Sequence, residues 1–135
     1  PLDWMDGLGV VILVAAVAGE TIADHQLAAW KRSRPEGERV CRRGLWAWSR
    51  HPNYFFEWTH WFTYVAVGIA GPHGWLTLGG PVLMYLFLTR VTGVPVAERR
   101  SVARRGEAYV AYQREVSPFF PRPPRRGAGV ASESG

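Results

Sequence analysis

The chain has 135 residues, room for one domain, and carries 16 Lys and Arg against 11 Asp and Glu for a net charge of +5. Its single cysteine, Cys41, excludes a disulfide framework and a thiolate metal site. The mean hydropathy of −0.09 has the look of a soluble protein, but it averages long apolar stretches against arginine-dense ones. The basic residues flank those apolar stretches instead of interleaving with aromatic ones, which argues against a nucleic-acid partner.

The first apolar segment runs from about Trp4 to Asp24, and its centre, Leu8 to Gly19, is uncharged. It matches the roughly 20 residues that cross a hydrocarbon core if Glu20 and Asp24 lie in a wet interface or a polar cavity. A polar stretch from Lys31 to Arg50 follows, with seven of the basic residues. A second segment runs from about Tyr54 to Gly71 and a third from about Trp75 to Thr92, where Gly79, Gly80 and Pro81 predict a kink. The seven Trp, five Tyr and six Phe are the amphipathic rings that gather at membrane interfaces.

Ala97 to Glu115 reads as an amphipathic helix with Val102, Tyr109, Val110, Tyr112 and Val116 on one face. Prolines at 118, 121, 123 and 124 end it, and the small, polar residues 122–135 are expected to form a disordered tail after a domain of residues 1–121. The link from Gly71 to Gly74 has no Lys or Arg, so all sixteen basic residues fall on one side of a three-span arrangement. The expected fold is an all-α polytopic membrane helical bundle: about three transmembrane helices and a C-terminal amphipathic helix in a lipid bilayer, with the basic loop and C-terminus cytoplasmic. A soluble helical bundle with buried apolar helices is the competing arrangement.

Four groups of residues can carry chemistry. Ser49-Arg50-His51-Pro52-Asn53-Tyr54-Phe55-Phe56-Glu57 is the densest, standing where the basic loop meets a span. Pro52 suits a first helical turn, which would put Asn53 and Glu57 on one face with Glu57 about a turn inside the membrane. An amide and a carboxylate placed so can hydrogen-bond a carboxamide or a ribose; equally, they can serve as a helix cap and a salt-bridge partner. Glu20 and Asp24 repeat the four-residue spacing, as a solvated helix end or as another wall of the same cavity. Lys31, Arg39, Arg42 and Arg43 suit the phosphates of a cofactor or of anionic lipids. Glu98, in its Arg-rich stretch, reads as a salt-bridge partner, with Tyr109 and Tyr112 on the next helix. The four histidines make no paired metal box.

Gly44-Leu45-Trp46, Ser49-Arg50-His51-Pro52-Asn53-Tyr54 with Glu57, Gly93-Val94-Pro95 with Glu98, Tyr109-Val110-Ala111-Tyr112 and Pro118-Phe119-Phe120-Pro121 occur in this order. Together they resemble a bacterial branch of the steroid 5-alpha-reductase superfamily, whose relatives include sterol reductases and isoprenylcysteine carboxyl methyltransferases. The resemblance covers about Glu20 to Pro121. It implies the C-terminal, cofactor-binding half of an inner-membrane NADPH-dependent reductase acting on the C=C bond of a lipophilic enone, the catalytic Tyr and Glu preceding Pro1. It places Asp24, Lys31, Arg39, Arg43, Asn53, Glu57, Glu98 and Tyr109 around NADPH. The alternative is an S-adenosylmethionine-dependent methyltransferase of a lipid or prenylated substrate. That branch carries a Glu-Glu pair where this chain has Glu98-Arg99, and Asn53 with Glu57 matches the reductase pattern. Three positions depart from the reductases: Phe56 stands at a usual Gly, Glu20 at an amide, and Glu98 at a basic or imidazole group.

Overall fold

A computed structural model of the chain describes residues 1–125. Among these residues it is helical with no strand; one isolated parallel bridge joins Ser49 to Ser117. Helix α1 spans Trp4–Ser33. Asp3 caps it, accepting from the backbone N–H of Met5 and Asp6, while Asp6 reciprocates on the Asp3 N–H. At 30 residues it outruns the expected segment by nine. Hydropathy marked where the hydrocarbon ends, but Leu27 and Trp30 pack on Cys41 and Trp46 and carry the helix on. It stops at Arg34, which adopts a left-handed conformation (φ 40°) before Pro35.

A single turn of 3-10 helix, Gly44–Ala47, leads to α2, Pro52–His60, with Pro52 in its first turn as expected. Helix α3, Phe62–Gly68, continues the same rod after a tightened turn at Trp61. A second 3-10 stretch, Gly74–Leu78, precedes α4, Gly79–Leu86. Pro81 therefore lies in the first turn of α4, where its missing N–H costs no hydrogen bond, instead of kinking a continuous helix. A π-turn over Phe87–Val91, closed by Thr92 N–H donating to Phe87 O at 2.8 Å, leads into α5, Gly93–Arg105. Helix α6 is Glu107–Glu115. The single helix expected from Ala97 to Glu115 is thus two, broken at Gly106, whose φ of 58° and ψ of −132° a side chain would oppose. The turn still lets Val102, Tyr109, Tyr112 and Val116 converge, around Val40.

The close approaches fix the packing. On α1, Gly9 lies against Thr63 and Val67 of α3, and Gly19 against Phe56 of α2, so the two rods run antiparallel. Gly68 meets Thr77, Gly80 meets Trp61, and Gly93 meets Tyr54, which makes α4 antiparallel to α2 and α3 in turn. The loop from 34 to 51, the start of α2, α5 and α6 consequently share one end of the bundle. That end holds every Lys and Arg of the described residues. Residues 122–125 of the expected tail have no regular secondary structure but are pinned by backbone hydrogen bonds from Arg122 N–H to Trp48 O and from Arg125 N–H to Glu115 O, and the rest of the tail lies outside the described residues.

Apolar side chains face outward. Val10, Val11, Val14 and Val17 on α1, and Val82, Leu83 and Leu86 on α4, are each 46% exposed or more. A soluble bundle buries such stripes; here they form a belt that suits hydrocarbon. Among the described residues, the helical runs Trp4–Ser33 and Gly74–Arg105 are long and apolar enough to cross a membrane. The α2–α3 rod, which carries Glu57 and His60, is shorter. The fold is an all-α membrane helical bundle.

Phe56 finds its room at Gly19. A Cβ on Gly19 would sit 2.4 Å from the Phe56 ring, so the two residues are complementary across α1 and α2. Gly19→Ala is expected to cost about 1–3 kcal/mol through overpacking, measured as a lower unfolding midpoint in detergent. Phe56→Leu in the same chain should recover part of that loss, and equal losses with and without it would contradict the pairing.

Candidate functional site

The loop from Trp46 to His51 is held by bonds that reach far along the sequence. Trp46 Nε1 donates to Ala23 O at 2.9 Å, and the Tyr112 hydroxyl donates to Trp46 O. Ser49 Oγ donates to Phe119 O at 2.8 Å, and Arg50 N to Ser117 O at 2.8 Å. Helix α1, the loop, α6 and the segment after α6 are thereby stitched together. Tyr112, Ser49 and Phe119 are almost fully buried.

Within this frame Glu98 of α5 gathers two donors, with the His51 ring close by. Arg50 Nη2 lies 2.6 Å from Glu98 Oε1, and the Tyr109 hydroxyl donates to Oε2. His51 Nε2 lies 3.5 Å from Oε2, too far for a good hydrogen bond. The salt bridge expected of Glu98 is present, and both partners are deeply placed, with 10% and 13% of their side chains exposed. Arg50 Nη1 also donates to Gln113 O at 2.7 Å. Burial, reinforced by the Glu98 carboxylate, pushes the Tyr109 phenol well above its ordinary value, so it stays a donor.

Beside this network opens a cavity of about 260 Å³ between α1, the loop, α2, α5 and α6. Its rim is basic: Lys31 from α1, and Arg100, Arg104 and Arg105 from α5. None of the four pairs with a carboxylate among the described residues. Its floor carries His51, Asn53, Tyr109 and Tyr112. Two floor atoms, His51 Nε2 and Asn53 Oδ1, are buried without a hydrogen-bond partner. Unmet polar atoms at the wall of a cationic cavity are where a polar ligand gains most. Cys41 also lines it, as a thiol that burial keeps protonated.

Of the residues singled out from the sequence, Lys31, Asn53 and Tyr109 line this cavity, and Glu98 stands directly behind it. Asp24, Arg39, Arg43 and Glu57 do not line it. Arg39 is exposed in the loop, and Arg43 pairs with Glu38 at 3.2 Å. Asp24 is exposed on α1, and Asp24, Glu57 and His60 each lie within electrostatic reach of Glu20. Asn53 and Glu57 thus serve different neighbourhoods despite their spacing. Sequence reasoning passed over Arg100, Ser101, Arg104 and Arg105. With Ala97 they fall at helical spacings of three, four, seven and eight, one face of α5. That pattern was the available signal.

A family model described as "Protein of unknown function (DUF1295)" matches residues 1–116. No curated protein and no solved structure matches the chain.

Proposed function

The chain belongs to the DUF1295 family, and from that premise we propose that it is the cofactor-binding part of a membrane-embedded, NADPH-dependent reductase of a C=C bond in a lipophilic enone. DUF1295 is a steroid 5-alpha-reductase-like family, and Trp46, Arg50, His51, Asn53, Tyr54, Tyr109 and Tyr112, part of the motifs that carry that resemblance, line the basic cavity. The observation that carries the proposal is the joining of that rim with the unpartnered Asn53 Oδ1 on the floor.

The residues present fit such a cofactor. Arg100, Arg104 and Lys31 would hold phosphate oxygens, arginine forks matching them in pairs. Asn53 would accept from the carboxamide amine, and His51 would meet a further polar group. The bound dinucleotide supplies the hydride. The chain's own part is to bind and orient: the Arg50–Glu98–Tyr109 network fixes the loop that ends at His51 and leads into the first turn of α2, which carries Asn53, and Tyr109 remains protonated beside it. By the positive-inside rule this end of the bundle would face the cytoplasm, where the nucleotide would be available.

S-adenosylmethionine is the competing ligand. Glu98 faces Arg50, His51 and Tyr109, and the next residue is the exposed Arg99. A Glu-Glu pair of the methyltransferase kind is therefore not formed at this position, which favours the dinucleotide.

Quenching of the protein's tryptophan fluorescence by NADPH tests the assignment, since Trp46 lines the cavity. Asn53→Ala is expected to weaken NADPH roughly ten-fold, the worth of about one hydrogen bond to a ligand. Glu57→Ala should leave the affinity within about two-fold of wild type on the same scale. An unchanged affinity in Asn53→Ala would refute the floor assignment.

A further inference from the structure

On the outer surface, α2, α4 and the segment after α6 enclose an apolar groove of about 330 Å³ with almost no polar wall. Of the polar groups on its lining residues, Trp58 Nε1 is already committed to Pro81 O at 3.0 Å. The groove runs from Phe120 past Leu86 and Val82 to Leu78 and Phe62. Eight residues of helix separate Leu78 from Leu86, so it extends about 12 Å along the bundle axis, which is the direction of the membrane normal.

The two ends of the groove differ. Leu78 and Phe62 lie toward the uncharged end of the bundle. Phe120 lies at the basic end, and two residues on, within about 7 Å along the backbone, stands Arg122. Arg114, Arg122 and Arg125 line one shallow cavity of about 190 Å³ there. None of them pairs with a carboxylate among the described residues. Their segment is pinned: Arg122 N–H donates to Trp48 O at 3.0 Å, and Arg125 N–H to Glu115 O at 2.8 Å. Trp48 is 45% exposed beside them, an interfacial aromatic at headgroup depth.

From these observations we infer that this face is a binding site for one anionic phospholipid, with an acyl chain in the Phe120–Leu78 groove and its phosphate over Arg114, Arg122 and Arg125. An apolar groove along the bundle axis, beside a cavity whose Arg114, Arg122 and Arg125 pair with no carboxylate among the described residues, has the chemistry of such a lipid. The arginines select the head group by charge-assisted hydrogen bonds, and the groove takes only hydrocarbon. The site lies apart from the basic cavity and does not depend on which cofactor that cavity binds.

The test is quenching of Trp58 by brominated-acyl lipids, with the full chain in nanodiscs of phosphatidylcholine containing either brominated phosphatidylglycerol or brominated phosphatidylcholine. The difference between wild type and Trp58→Phe isolates the Trp58 signal from the other six tryptophans. Brominated phosphatidylglycerol is expected to be preferred roughly five-fold per engaged arginine, the size usual for a basic residue beside an anionic surface. Arg122→Gln with Arg125→Gln should abolish the preference, while Arg39→Gln, a loop arginine outside the site, should keep it. Val82→Phe, which fills the groove, should reduce quenching by both lipids. Equal quenching by the two head groups would overturn the inference. So would a preference that survives the double arginine replacement, or one lost equally in Arg39→Gln.

Discussion

Glu98→Ala is expected to destabilise the protein by about 3–5 kcal/mol, the usual consequence of removing one partner of a buried ion pair. The substitution leaves the Arg50 guanidinium, 10% exposed, with Gln113 O as its acceptor and with Nε already unpartnered. It also strands the Tyr109 hydroxyl. Glu98→Gln keeps an acceptor for Tyr109 and should cost less. Arg50→Leu combined with Glu98→Leu should lie closer to wild type than either single change, because no buried charge remains. Chemical denaturation of the detergent-solubilised protein measures all five variants. Losses that simply add in the double variant would mean that the two side chains do not stabilise each other. The same network holds the loop that carries His51 and leads into Asn53 at the start of α2, so the single variants should also bind nucleotide more weakly.

The second large effect concerns the rim. Arg100→Ala and Arg104→Ala are each expected to weaken NADPH by roughly 10- to 100-fold, since a hydrogen bond to a charged group contributes about 1.5–3 kcal/mol. Arg99 supplies the internal control. It is exposed and adjacent in sequence but does not line the cavity, and Arg99→Ala should change affinity little. If the three variants behave alike, the arginines act as a diffuse cationic surface and not as a site. Raised salt should narrow the gap between wild type and the rim variants only in part, because screening acts most strongly on the exposed portion of the interaction.

The sequence made some of this legible and hid the rest for physical reasons. Local rules sufficed at Pro52, which opens α2, and in the charge map, which placed the basic residues at one end. Glu98 was legible as a salt-bridge partner, but its partner was not: Arg50 is 48 positions away in sequence and meets Glu98 only because Ser49 and Arg50 are bonded to the segment after α6. The break at Gly106 was missed because helical periodicity continues across it, and only the backbone angles show the turn. Asn53 and Glu57 shared a spacing, yet a helix of α2's position offers its first turn to the cavity and its second to α1 near Glu20. Phe56 departs from the usual glycine of the resemblance, and the room for its ring comes from Gly19 on the neighbouring helix. Such complementarity across two helices cannot be read from either strand of sequence alone.

The central claim is that the basic cavity binds a nicotinamide dinucleotide. Calorimetric titration of the protein in nanodiscs with NADPH and, separately, with S-adenosylmethionine tests it most directly. Saturable 1:1 binding of NADPH, reduced in Asn53→Ala and Arg104→Ala, with no heat from S-adenosylmethionine, is the expected result. Saturable binding of S-adenosylmethionine, or NADPH heats that are unchanged in both variants, would contradict it.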